Sequence, residues 1–271
     1  MMHSAPRAAA LVAPVLTATP RPKSHLSYLP RGARPVVRPP RPAFMTRRYE
    51  TAWLCADGSV ETATRIAPAL PEFEEAFSAI ARGTVIETAA GLVAVEDLVP
   101  GTTIVTADGR REQITWIGTM TLFPPQTVPG LAPTTMTRIT ADAFGEGRPM
   151  PDLMLGPQAR VAVQGGRYGR TDGLRTSIPA RSLIDGESIV EVTPVAPVSV
   201  YHIVLARHGA LRCAGVEIES YHPGKDQAER LDPQLAQLFI AMFPHLKSFS
   251  DFGPMAHLRL SAAEADGMIA A

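Results

Sequence analysis

Four side chains that can bind a metal or move a proton fall within 21 residues: His202, His208, Cys213 and His222. Neutral imidazole and thiolate are the ligands zinc prefers, four of them in a tetrahedron. The spacings here are five, four and eight intervening residues, which match no familiar ligand pattern. On a strand, residues an even number apart share a face, so His202 and His208 meet only if one strand runs unbroken through Arg207. Satisfied histidines at strand ends and in loops are the other reading, and the spacing favours it, so no metal and no cofactor is expected. Two hydroxyls, Ser78 and Thr84, flank "AIARG" at 79–83. Either would need a base to become a nucleophile, and His202 and His222 are the candidates. The chain has no HExxH, no GxxxxGK[ST] and no GxSxG, which removes the common zinc, phosphate-loop and nucleophile-elbow signatures. The glycine-rich "VQGGRYGRTDG" is followed by strand-like residues, so no helix N-terminus is available there to receive a phosphate. It reads as a hairpin loop.

Short alternating strands must carry these residues. "YETAWL" and "SVETATRI" flank "CADG", where Asp57-Gly58 is a hairpin-turn signal. "PEFEEAFSAI" suits a short helix with Phe73, Phe77 and Ile80 on one face. From there to residue 218 runs a series of alternating segments: "TVIET", "LVAVEDL", "TTIVTA", "EQITWIG", "TRITA", "DLML", "RVAVQ", "RTSIPA", "SIVEVTPV", "VSVYHIVL" and "ALRCAGVEI". Gly, Pro and Asp-Gly punctuate them. Strands at this spacing without amphipathic helices between them predict a mainly β domain. The loop 119–134 holds Met120, Leu122 and Phe123 among prolines. It is apolar for a loop and is expected to cover the core or to meet a partner. The period then changes. Asp232 and Pro233 suit the N-cap and first turn of a helix. Leu235, Leu238, Phe239, Met242, Phe243 and Leu246 follow at helical spacing. That stripe is expected to dock on the β domain, with a homodimer interface as the alternative. Ser261 and Glu264 have capping-box spacing for a second helix.

Composition sets the boundaries. Nine of the 26 Lys and Arg lie in residues 1–48 with none of the 26 Asp and Glu, leaving 17 basic and 26 acidic residues, net −9, in the remainder. The nine prolines of residues 1–44 make this a basic, Pro-rich arm, read as disordered. The folded part, being acidic, is not expected to bind nucleic acid. No apolar run approaches the ~18 residues that span a membrane. "AAALVAPVLTA" at 8–18 is a weak export signal: Pro14 interrupts it and Arg7 is its only basic flank. The cytoplasm is therefore favoured over export, and Met45 stands as a second candidate start. Cys55 and Cys213 form no disulfide framework, though one bridge between them stays open. The expected organisation is the arm 1–44, a hairpin and short helix over 45–78, a β domain over 79–225 and a helical segment over 226–271.

The β domain resembles the Hedgehog/intein, or Hint, superfamily, and its bacterial branch most closely. "ARGTVIETAAGLVAVEDLVPGTTIVTADGRREQITWIG" at 81–118 resembles the first block of that family. "RITADAFGEGRPMPDLMLGPQARVAV" at 138–163 looks like its second, and "VYHIVLARHGALRCAGVEIESYHPG" at 200–224 like its closing segment. Any one of these is weak; the ordered set of three is fairly specific. The resemblance implies an all-β horseshoe of short antiparallel strands in which the two ends of the domain meet centrally. It also implies a chemistry. A Cys, Ser or Thr at the first position attacks the preceding carbonyl, a histidine in a Thr-x-x-His element assists, and in inteins a terminal Asn releases the downstream chain. Here the first position is Ala79. The second element reads Gly156, Pro157, Gln158 and Ala159, and the chain contains no asparagine. Inteins that begin with Ala exist, yet they still need that Asn. The resemblance thus implies a Hint domain without catalytic residues, kept as a scaffold or binding module for a protein partner. Its cleft is expected around Thr84, Gln158, His202 and His222. Residual self-cleavage by a substitute such as Ser78 or Thr84 is the alternative.

Overall fold

A computed structural model describes residues 45–124, 134–164 and 175–269, all within one compact unit. The basic arm, most of the glycine-rich 163–173 loop and the tip of the 119–134 loop lie outside the described residues. The chain opens with a hairpin, β1 (Thr46–Leu54) and β2 (Val60–Pro68), and a one-turn helix, α1 (Pro71–Glu74). Next come β3 (Ile80–Ala81), β4 (Val85–Thr88), β5 (Gly91–Ala94), β6 (Thr103–Val105) and the long β7 (Arg111–Leu122). β8 (Met136–Ile139), β9 (Leu153–Leu155), β10 (Arg160–Val163), β11 (Thr176–Pro179) and β12 (Ile189–Val192) follow. β13 (Val198–Leu205), β14 (Ala210–Cys213) and β15 (Val216–Glu219) close the β region. The C-terminal part holds α2 (Gln227–Arg230), α3 (Pro233–Ile240), β16 (Leu258–Arg259) and α4 (Ala262–Ile269). The strands form one continuous, mainly antiparallel sheet in the order β12-β8-β9-β3-β13-β7-β6-β4-β14-β15-β10-β11-β16, with β1, β2 and β5 attached at its side. β16 runs parallel to β11.

The expected turn chemistry holds. Gly58 adopts a positive φ of 84° at the β1–β2 turn, where the Gly58 N–H donates to Cys55 O at 3.0 Å. Three expectations are corrected. "LVAVEDL" is strand only to Ala94 and then a single 3-10 turn, Val95–Asp97. "ALRCAGVEI" is a hairpin rather than one strand, because Ala214 and Gly215 take positive φ between β14 and β15. Met120 and Leu122 belong to β7 and are buried in the core, so they are not loop residues, whereas Phe123 is exposed.

β7 and β13 form the axis of the fold, paired from Val198–Leu122 to Leu205–Ile114. Both ends of the β domain attach to β13. At one end the Ala79 N–H donates to Tyr201 O (3.1 Å); at the other the Tyr221 N–H donates to Ile203 O (2.7 Å). The central meeting of the two ends is therefore a matter of backbone pairing. The segments flanking the β domain belong to the same body. β1 pairs with β7 through Trp53–Trp116. In α3, Asp232 caps the helix by accepting from the N–H groups of Gln234 (2.9 Å) and Leu235 (3.0 Å). Phe239, Met242 and Phe243 are buried in the chain's own core, beside Phe73, Phe77 and Trp116. The Trp116 indole donates to Met242 O at 2.9 Å, and its ring lies 4.4 Å from that of Phe243. Gly118 makes this packing possible, since a Cβ there would overlap Trp116 and Phe77. Burying each of Phe239, Met242 and Phe243 contributes about 1.5–3 kcal/mol. That is why the amphipathic stripe docks inward. Of its members only Leu238 is markedly exposed.

Candidate functional site

The peptide between Ser78 and Ala79 sits in a backbone cradle. The Ser78 carbonyl accepts the Gln158 N–H at 3.1 Å, and the Ala79 carbonyl accepts the Gly156 N–H at 2.8 Å. Gly156 passes so close that a Cβ on it would fall on the Ser78 carbonyl, so only glycine fits this approach. Ala79 and Ala159 are both fully buried in the larger core cluster. Neither offers a heteroatom, and Gln158 contributes its backbone N–H to the cradle. The Ser78 carbonyl is thus oriented by one backbone N–H.

The hydroxyls nearby are engaged elsewhere. Ser78 Oγ donates to Glu74 O at 2.7 Å, closing the turn after α1. Thr84 is buried and lines a small cleft of about 170 Å³ with Arg82, Asp152 and Ala214. Gln158 is half-buried. His202 Nδ1–H donates to Glu75 O at 2.7 Å, and its ring packs edge-on against Tyr221 at 5.0 Å. Burial pulls His202 down to about 4. His222 Nε2–H donates to Gly253 O at 2.9 Å while Nδ1 accepts the Gly224 N–H at 3.0 Å. Burial again lowers it to about 4. Thr84, Gln158, His202 and His222 thus line no common cleft among the described residues. Both histidines are fixed as neutral, hydrogen-bonded groups.

β13 ends at Leu205, so the unbroken strand that would join His202 to His208 is absent, and His208 lies in the loop before β14. Among the described residues the potential ligand atoms that converge belong to His208, Glu219 and His257. Glu219 is the centre of this group and is almost fully buried. Arg259 Nε donates to both its oxygens (3.0 and 3.1 Å), Ser177 Oγ donates at 2.7 Å, and Arg160 Nε lies at 3.2 Å. Burial alone would raise this carboxyl, but Arg259, His208 and Ser177 hold it far below the usual range. His208 Nδ1 accepts the Ala256 N–H at 2.9 Å. Two guanidiniums pair with the carboxylate, and a backbone N–H occupies one nitrogen of the imidazole. Cys213 lies outside the group; burial raises its thiol well above the usual range, and Cys55 is likewise a free thiol. The sequence reading missed Glu219, Arg160 and Arg259. A faint signal exists in β15, where Glu219 follows buried Val216 and Ile218, but nothing in the sequence says which cations answer it.

Comparison with known proteins adds a family. A family model described as the Hint domain matches residues 78–225, more than half of the chain. The solution structure of a bacterial intein-like domain from Clostridium thermocellum is similar at 14% identity and a TM-score of 0.38, covering 54% of this chain and 99% of that one. The crystal structure of the TvoVMA intein is similar at 13% identity and 0.36, over 52% and 96%. That of the MchDnaB-1 intein is similar at 16% identity and 0.32, over 52% and 99%. No curated protein matches the chain.

Proposed function

The chain belongs to the Hint domain family, and from that premise we propose that its Hint domain no longer processes itself and acts as a permanently intact scaffold or binding module. One observation carries the reading: at Ala79, which the resemblance makes the attacking position, a methyl group stands inside a cradle that holds the Ser78 carbonyl. Acyl transfer from that carbonyl requires a sulfur or oxygen nucleophile, and Ala159 holds the place that the resemblance gives to the assisting imidazole. The flanks support the reading independently. Residues 45–78 are joined to the β domain through β1–β7 pairing, and residues 226–269 through Trp116, Glu219 and the β11–β16 pair. The hairpin and helix, the Hint domain and the C-terminal helical segment then act together as one folding unit.

The substitutes for a lost nucleophile are poorly placed. Ser78 Oγ is tied to Glu74 O, and His202 and His222 each donate to a main-chain carbonyl. Intact mass of the purified full chain, before and after incubation with dithiothreitol or hydroxylamine, tests the proposal. A single full-length species is expected. Fragments ending near residue 78 would overturn it.

A further inference from the structure

A cleft of about 570 Å³ opens where four separate parts of the chain converge. Glu75 comes from the N-terminal flank and Arg160 from the start of β10. Lys225 and Arg230 lie around α2, and Arg259 comes from the C-terminal flank. Its floor is the outer side of the buried ion-pair centre. Arg160 uses Nε toward Glu219 and Nη2 toward Ser177 O (2.8 Å) and Leu260 O (2.5 Å), leaving Nη1 without a hydrogen-bond partner among the described residues. Arg259 uses Nε on Glu219 and Nη2 on His222 O (2.7 Å). Its Nη1 stands 4.0 Å from the Glu75 carboxylate, beyond hydrogen-bond reach, and faces the cleft-wall residue Gly224. At the rim, Arg230 and Lys225 are exposed and form no ion pair among the described residues. Of the acids along the wall, Glu264 is taken up in capping Ser261 at 2.7 Å. Against its four cations the wall also carries Glu75 and Asp226, so the cleft is close to charge balance, and its unpaired donors among the described residues are Arg160 Nη1 and the rim residues Arg230 and Lys225.

We propose that this cleft binds a small organic anion bearing a carboxylate or phosphate group, gripped by the unpaired Nη1 of Arg160, with Arg259 Nη1 held beside it by Glu75, and closed over by Arg230 and Lys225. Arginine presents a planar fork of donors that matches both oxyanions, and a cavity of this size admits a ligand of metabolite dimensions. The inference rests on the reading of an intact chain, because the cleft needs Glu75 from one flank and Arg259 from the other.

Titration calorimetry of the full chain at low ionic strength tests it, using inorganic phosphate, succinate and citrate as probes and chloride at matched ionic strength as control. At least one probe is expected to saturate and to raise the melting temperature; the phosphate and carboxylate arms tell the two headgroups apart. The double variant Arg230→Glu/Lys225→Glu changes only exposed rim residues and leaves the floor in place. It is expected to weaken binding at least tenfold. No saturation by any probe at about 10 mM, saturation by chloride alike, or unchanged affinity in the double variant overturns the site. Intact mass of the same sample separates the two readings. A clipped chain sinks the proposed function, whereas an intact chain that binds no anion sinks this inference alone.

Discussion

The two ends of the Hint domain attach to the same strand two residues apart, and they are built from opposite materials. At the first end, Ser78–Ala79, the contacts are backbone to backbone and the surrounding side chains are methyl groups and glycine. At the second end, Glu219–His222, two arginines, a serine and several histidines crowd around one buried carboxylate. The difference teaches what each set of contacts is for. The cradle at the first end is part of the sheet's register, so the fold holds it whatever side chain stands at residue 79. The charges at the second end hold the C-terminal flank in place, and none of them can leave without stranding the others.

The largest effect therefore belongs to the second end. Arg259→Ala removes the main counter-charge of a buried carboxylate and is expected to cost about 3–5 kcal/mol, read from urea unfolding of the full chain. A loss below about 1 kcal/mol, the worth of an exposed pair, would show that solvent reaches Glu219 and that the contrast between the ends is overdrawn.

Acid should find the same end next. His202 and His222 are lowered from the usual 6.5 to about 4, chiefly by burial. Between these values the unfolded chain binds protons that the folded chain does not, so stability present above pH 6.5 is lost as the pH falls toward 4. His245 and His257 are lowered too and add in the same sense. Glu75, raised mainly by burial, acts in the opposite sense. Each of the two central histidines accounts for roughly 3 kcal/mol across that range. Urea midpoints at pH 7 and pH 5 measure the effect, and equal midpoints would contradict it. Amide exchange should meanwhile locate the loosening in residues 248–260, with the Ala79 and Gly156 amides still protected.

The first end answers to geometry. Gly156→Ala places a methyl on the Ser78 carbonyl and is expected to destabilise by about 1–3 kcal/mol, as overpacking does. Thermal unfolding of this variant indistinguishable from wild type would mean that the cradle is looser than its distances imply.

These contrasts also mark what the sequence could convey. The strands were legible because alternation and turn residues are local: Asp57-Gly58 announces its hairpin, and Asp232-Pro233 its helix. The ordered blocks around "GTVIET", "GPQARV" and "VYHIVL" were legible as a family, and with them the absence of a nucleophile at Ala79. The inward docking of Phe239, Met242 and Phe243 could be expected from their stripe, but its seat on Trp116 depends on pairing across more than a hundred residues. The ion-pair centre was not legible. Arg160, Ser177, Glu219 and Arg259 come from four elements distant in sequence, and only tertiary packing shows that one buried carboxylate gathers the rest. The histidines drew attention by chemical type alone. The fold uses His202 and His222 as neutral hydrogen-bonding groups in its walls.

The most informative variant is Ala79→Cys/Ala159→His, read by the mass of the chain rather than by its stability. The first substitution adds a sulfur and the second an imidazole at fully buried alanines, each an overpacking of about 1–3 kcal/mol or more. If the backbone at 78–79 is held as its hydrogen bonds indicate, the introduced thiolate attacks the Ser78 carbonyl carbon, the peptide C–N bond breaks, and the freed amine takes up a proton. The resulting thioester is cut by dithiothreitol. Denaturing mass spectrometry should then find two fragments that part after residue 78, while gel filtration still finds a single particle, because β1–β7 pairing and the Phe77–Trp116 contact keep the shorter piece bound. Ala79→Cys alone should stay intact, since it supplies the attacking atom without the proton donor. A folded double variant that resists dithiothreitol would mean that the backbone at the first end has drifted out of reach, and that more than two side chains separate this domain from one able to cleave itself.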